Sequence, residues 1–189
     1  MEAGRFQSNR IGYLLNQVEL SNLLRRYWSD IIYWTRSLYI STLFDLENRP
    51  YIQRRMIRNA TDIANVFRSL YGDALADRIE LVLTEYYLAF FEMSNALARQ
   101  DMDTANKLYQ RLFEKLDELV DILGNANSNI DKEELRVLLY DFLQQSEEEA
   151  SLIYSRQYQE SIDQFDKIYD QAARIADYLA RAIIEQIRI

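Results

Sequence analysis

The sequence predicts an all-α fold: an antiparallel helical bundle of five or six helices around a four-helix core. Three observations carry this expectation. Apolar residues recur at alternating steps of three and four over at least four long segments, the spacing that places side chains on one helix face. The 189 residues include only four Gly and one Pro, too few turn formers for a β-sandwich or barrel. The connections between periodic segments are short, and short connections between long helices make antiparallel neighbours. A chain of this length fits one domain and buries a core without covalent staples.

Residues 1–18 lack strong periodicity and read as an N-terminal arm or a short helix around Ile11 to Leu15. Residues 19–189 read as a single helical-bundle domain. The first long helix is expected from about Glu19 to Asp45, with Leu20, Leu24, Trp28, Ile31, Thr35 and Leu38 as its stripe. The Glu47–Pro50 stretch stops it, and Pro50 suits the first turn of the next helix, where a missing N–H costs nothing. The second helix covers about Pro50 to Leu70 through Ile52, Met56, Asn59, Ile63, Val66 and Leu70. Gly72 follows where a left-handed C-terminal residue belongs. The third runs from about Ala74 to Arg99 through Leu75, Ile79, Val82, Tyr86, Phe90, Met93 and Leu97. Asp101 is the N-cap of a fourth helix that reaches about Leu123 and Gly124. Asn125–Ile130 is the clearest loop. Asp131 and Glu134 form a D-x-x-E capping pattern for a fifth helix over about Lys132–Tyr154. The last helix covers about Gln159–Ile187, with Ile162, Phe165, Tyr169, Ala172, Ala176, Leu179 and Ile183 as its stripe.

Composition narrows the chemistry. Cys and His are both absent. Thiol catalysis, disulfides and His-assisted nucleophiles are therefore excluded, and the commonest transition-metal ligand is missing. A metal site would need oxygen ligands alone, which suits magnesium, calcium or manganese. The formal charge is −8, unevenly spread: residues 1–70 hold ten Lys/Arg and six Asp/Glu, and the remainder twelve and twenty-four. Basic and acidic helices side by side in one bundle account for this, and head-to-tail self-association is the sharper reading. The global acidity argues against nucleic-acid binding despite Arg54, Arg55 and Arg58. The first residues lack the pattern of a signal peptide, and Trp28–Phe44 is too polar for a membrane span. A cytoplasmic location without membrane contact is expected.

The candidate polar residues are few. Glu147, Glu148 and Glu149 are consecutive, so they point to different sides of a helix and read as a solvated face. The fourteen Tyr read as core residues that send their hydroxyls to partners. Asn59 and Asp62 lie one turn apart on the second helix, and Arg36 is embedded among apolar residues of the first. A buried Arg36–Asp62 ion pair is expected, because a buried charge needs a partner. The Glu85–Tyr86 and Asp166–Tyr169 pairs complete the candidate polar core.

Several stretches carry a resemblance. Trp28 to Arg36 resembles the W-x-E-H-V-x-W-T-R opening of an uncharacterised family of small helical bacterial proteins. Arg58-Asn59-x-x-Asp62-Ile63-x-Asn65, Tyr71-Gly72, Ala126–Asn129 for the family's A-N-P-N, and Tyr140–Leu143 for its Y-E-H-L follow in the same order. Asp166–Gln171 is similar to the family's Y-D-x-x-H-x-H. The family's histidines fall here on Ile31, Tyr86, Phe142, Tyr169 and Gln171, while Asp30, Glu85, Asp141 and Asp166 keep acids beside them. The resemblance implies a shared helical fold. It also implies that Ile31, Tyr86, Phe142 and Tyr169 converge inside the bundle, where packing replaces a polar site.

With no catalytic motif, metal-ligand set or cofactor-binding loop, no cofactor is expected. The leading expectation is a non-enzymatic bundle acting through a protein partner or as a homo-oligomer. A polar centre that binds a small ligand or hard cation is the alternative. Carboxylate and tyrosine acid–base chemistry at Glu85 and Asp166 is the third.

Overall fold

The computed structural model describes residues 2–187, with side chains from residue 16 onward. Among the described residues there are six α-helices and no strand: α1 (Glu2–Leu43), α2 (Arg49–Tyr71), α3 (Asp73–Ala98), α4 (Met102–Ala126), α5 (Lys132–Tyr154) and α6 (Tyr158–Ile187). The expected boundaries of α2 to α6 agree to within a few residues. α1 differs, since it begins at Glu2 rather than near Glu19. The early segment contains Gly4 and Gly12 but no Pro, and an internal Gly costs a helix only about 1 kcal/mol.

The helices form three hairpins, α1–α2, α3–α4 and α5–α6. α1, α3 and α5 all end in the same way. Leu46 N–H donates to the Ser41 carbonyl (2.9 Å), Asp101 N–H to Ala96 (2.9 Å), and Gln157 N–H to Leu152 (2.9 Å). Asp45, Gln100 and Arg156, one residue earlier, have φ of 49°, 60° and 60°. This is the Schellman arrangement, which satisfies carbonyls left open at a helix end and usually recruits Gly. Here it is built without Gly, which is how a chain so poor in turn formers reverses direction three times. At the opposite end Gly72, at φ 85° and ψ 175°, joins α2 to α3. That region is essentially closed to residues with a Cβ.

The α4–α5 connection is held by its own polar side chains. Buried Asn127 donates to Tyr71 Oη (3.1 Å) and to the Ala182 carbonyl (3.0 Å), and it accepts from Asn129 N–H (2.9 Å). Tyr71 donates on to Gln186 (2.6 Å), whose amide reaches the Ala126 carbonyl (3.1 Å). The last turns of α2, α4 and α6 are thereby tied together. Asp131 caps α5 by accepting from Glu133 and Glu134 N–H at 2.8 and 3.0 Å, as the capping pattern predicts.

Each helix packs against the next in sequence, and α1 closes the ring by packing on α6. α1 also reaches across to α3 and α5. The core fills the ring, with Ile32, Leu38, Tyr39, Met56, Ile79, Phe90, Leu112 and Leu135 among its most buried side chains. Trp28 meets Phe142 edge to face, with centroids 5.6 Å apart, a geometry that adds about 0.5–1.5 kcal/mol beyond burial. An apolar cavity of about 30 Å³ remains among Trp28, Ile31, Ile63, Leu83, Leu119 and Leu179. Among the described residues no helix is long and apolar enough to cross a membrane.

Candidate functional site

The register of the α1–α2 hairpin decides where the charged residues go. Arg55 donates to Asp30 at 2.7 Å, and Asn59 donates to the Tyr27 carbonyl at 3.3 Å. These level contacts place Arg36 beside the start of α2 and Asp62 beside Leu23, roughly 20 Å apart along the axis at 1.5 Å per residue. The expected Arg36–Asp62 pair therefore does not form. Asp62 is half-buried and lies 3.7 Å from Arg55 and 4.0 Å from Arg58, both on its own helix.

Arg36 instead turns to α5 and α6. It forms an ion pair with Glu149, donates to the Ser161 carbonyl (3.2 Å) and Ser161 Oγ (3.3 Å), and lies 5.5 Å from the centre of the Phe165 ring. Glu149 is completely buried, at 0% exposure. The expectation of a solvated glutamate run holds for Glu147 and Glu148 and fails for Glu149. The signal was present in the spacing: Leu135, Leu139, Phe142 and Ser146 lead at steps of three and four to Glu149 and then Ile153. Burial pushes the Glu149 carboxyl above the usual range, and the Arg36 guanidinium opposes that shift only in part.

A polar seam surrounds this pair. Tyr154 Oη and Ser94 Oγ are 3.2 Å apart. Tyr39 is fully buried, and burial first, then neighbouring Tyr154, holds its hydroxyl well above the usual tyrosine range. Among the described residues, Tyr39 Oη and Glu149 Oε2 have no hydrogen-bond partner. Neither the groove between α1, α2 and α6 nor the small apolar cavity is lined by residues of this seam.

The other candidate residues separate. Asn59 is buried and accepts from Tyr87 Oη at 2.8 Å. Tyr86 is buried, 5.8 Å from Tyr87 and 6.3 Å from Phe90 between ring centres, and burial raises its hydroxyl pKa. Glu85 lies outside the centre, paired with Lys115 at 2.6 Å, and that hydrogen bond lowers its pKa. Asp166 and Tyr169 also lie outside: both are exposed, Tyr169 by 43%.

The expected convergence of Ile31, Tyr86, Phe142 and Tyr169 accordingly fails at Tyr169. Ile31, Tyr86 and Phe142 are buried in the core, and the fifth position, Gln171, is buried too. α6 is wound about its axis differently from the expected stripe. Ile162 and Tyr169 face out, while Ser161, Gln164, Ile168, Gln171, Ala172 and Ile175 face in. Gln164 donates to the Gln145 carbonyl (3.2 Å) and Gln171 to the Leu138 carbonyl (2.8 Å), both on α5. Amides that satisfy backbone carbonyls are tolerated inside, since a buried polar group is costly only when unpaired.

A largely apolar groove of about 530 Å³ lies at one end of the bundle, between α1, α2 and α6. Leu20, Leu23 and Tyr27 line it from α1, Val66 and Leu70 from α2, and Ile184 and Ile187 from α6. Glu19 and Asp62 give its rim negative charge, and Asn16, Gln17, Asn65 and Ser69 supply hydrogen-bonding groups. Sequence spacing placed Leu20, Val66 and Leu70 on stripes, but it could not show that these stripes stop short of one another. Among the described residues no group of three acidic side chains is placed to hold a metal ion. Compared with known proteins, the chain matches no family model, no curated protein and no solved structure.

Proposed function

We propose that this is a non-enzymatic helical-bundle protein that binds an amphipathic helix of a partner protein, one with a basic polar face, in the α1/α2/α6 groove. The groove is the observation that carries the reading. Its apolar residues repeat at helical spacing: Leu20, Leu23 and Tyr27 on α1, Val66 and Leu70 on α2, Ile184 and Ile187 on α6. Parallel rows of this kind suit the anchors of a docked helix. The rim carboxylate of Glu19, with Asp62 already shared by Arg55 and Arg58, favours a basic partner over an acidic one, the usual work of rim charges. Glu85, on α3, is held by Lys115, while Asp166 and Tyr169 stand exposed on α6.

The test uses two designed amphipathic helices with leucines at i, i+3, i+4 and i+7, one with arginines on its polar face and one with glutamates. Each is titrated into isotope-labelled protein at low salt. The arginine helix should shift the amides of residues 66–70 and 184–187 and bind roughly tenfold more tightly, a difference of about 1.4 kcal/mol. Leu70→Asp should abolish this response. Equal binding of both helices, or no response at the groove, would overturn the reading.

A further inference from the structure

α6 carries apolar side chains on two faces. The inner face is buried in the ring, but Ile162 (49% exposed) and Tyr169 (43%) stand in solvent on the outer face, with Tyr33 of α1 (52%) beside them. Phe165 bridges the two helices, its ring centre 5.5 Å from that of Tyr33. Ile162, Phe165 and Tyr169 follow one another at i, i+3 and i+7, two turns of helix. A contiguous exposed apolar stripe at this spacing is a mark of an interaction surface. Asp163, Asp166 and Asp170 flank it on the side away from α1, and Glu160 stands at the start of the helix; all four are exposed, and none makes an ion pair among the described residues. Lys167, the one cation in this stretch, is turned to Gln164 at 3.0 Å.

The complementary surface lies on the same molecule, on another side of the ring. A second groove of about 630 Å³ runs between α2 and α3, with Pro50, Ile57, Leu88 and Phe91 as its apolar lining; Arg54 and Arg58 stand at its edge, and Asp62, itself shared by Arg55 and Arg58, closes one end. Among the described residues Arg54 makes no ion pair, and it lies over the Tyr51 ring at 4.6 Å. Arg58 is 76% exposed, and its nearest carboxylate, Asp62, is 4.0 Å away and shared with Arg55. The groove spans Pro50 to Thr61, about three turns of α2, enough to seat two turns of a helix.

We infer that copies of this chain associate head to tail, the outer face of α6 in one copy lying in the α2/α3 groove of the next. Arg54, and Arg58 held only loosely by Asp62 at 4.0 Å, are opposite in sign to the carboxylates on the outer face of α6, and each surface offers apolar side chains to the other. A symmetric α6-to-α6 contact would instead bring four carboxylates of each copy together. The two surfaces lie on different helix pairs of the ring, so the contact is heterologous and builds open chains or closed rings rather than an isologous dimer. Asp62 lines both grooves, but Asp163 and Asp166 lie in neither, so the Asp163→Arg with Asp166→Arg variant tests this inference without touching the first groove.

Sedimentation of the full chain across a range of concentration and salt tests this. The wild type should gain mass with concentration at low salt and lose that gain as salt rises. Arg54→Glu with Arg58→Glu should stay monomeric, and so should Asp163→Arg with Asp166→Arg. Circular dichroism should show both folded, since all four side chains are exposed. Mixing the two variants should restore association in an equimolar complex, because each then offers the charge the other needs. A wild type that stays monomeric at every concentration would overturn the inference. So would association that survives both reversals, or reversed variants that fail to recognise each other.

Discussion

Glu149 is the residue on which the interior is most exacting. Its carboxylate is enclosed by α1, α5 and α6, and among the described residues Arg36 is its only charged partner. Removing one member of a buried ion pair leaves the other uncompensated and costs about 3–5 kcal/mol. Glu149→Ala should fall near the lower end of that range in urea unfolding, because the Arg36 side chain keeps 22% exposure. Asp62→Ala should cost about 1 kcal/mol or less, as expected of a solvent-screened pair. A pH effect follows from the same burial. A folded pKa above the unfolded one means that the native state holds its proton longer, so the contribution is fully present below the unfolded pKa and is lost as pH rises through the folded pKa. The stability of the wild type minus that of Glu149→Gln should therefore fall as pH climbs from the ordinary glutamate value of about 4.3. Chemical denaturation of both proteins across pH 4 to 7 would check the slope, and the subtraction removes carboxylates shifted the other way, such as Asp177 beside Arg25. Asn59 was legible in the sequence because it interrupts a clean apolar stripe. Glu149 was hidden because two solvated glutamates precede it, and run composition masked its spacing.

At the scale of helices and turns, the three left-handed residues that close the hairpins make a test of backbone strain. A non-glycine residue in that conformation costs about 1–2 kcal/mol, and the extra freedom of Gly in the unfolded chain returns about 0.5–1 kcal/mol of this. Gln100→Gly and Arg156→Gly should each stabilise the protein by about 0.5–1 kcal/mol, and the effects should add because the sites are distant. Asp45 is a poorer target, since Asp tolerates the conformation better and this one pairs with Arg49 at 3.2 Å. Gly72→Ala should act in the opposite sense and lose about 1–3 kcal/mol. Thermal unfolding of the three single variants and of the Gln100→Gly/Arg156→Gly double variant would rank them and check the additivity. Helix positions were readable because periodicity, Pro50, Asp101 and Asp131 all agreed. The orientation of α6 was not, because its outer apolar residues merge with the inner row at Ala172, and hydrophobicity alone assigns both to the core. The polar residues that do face inward, Ser161, Gln164 and Gln171, are paired with atoms on other turns or on α5, and no local pattern announces such partners.

Across the whole molecule, three hairpins stand in a ring, and sequence order accounts for every contact between neighbours except the last. Short connections predicted that each helix packs on the next, but nothing in the spacing showed that α1 would meet α6. That contact is as extensive as the one between α5 and α6, and Arg25 adds two hydrogen bonds across it to Asp177 at 2.6 and 2.7 Å. The ring has no seam: the junction made by distant parts of the chain resembles those made within a hairpin. A circular permutant that joins the original ends through a flexible linker, and opens between Gln100 and Asp101, should keep its helix content and a single cooperative unfolding transition. Opening the chain in the middle of α3 should not, because it would cut a helix whose buried side chains include Tyr87 and Phe90. Calorimetry of the two permutants would separate these outcomes. The path of the chain and the architecture it builds would then be separable properties: the starting point of the polypeptide would govern which contacts are made first during synthesis, and leave the finished assembly of helices unchanged.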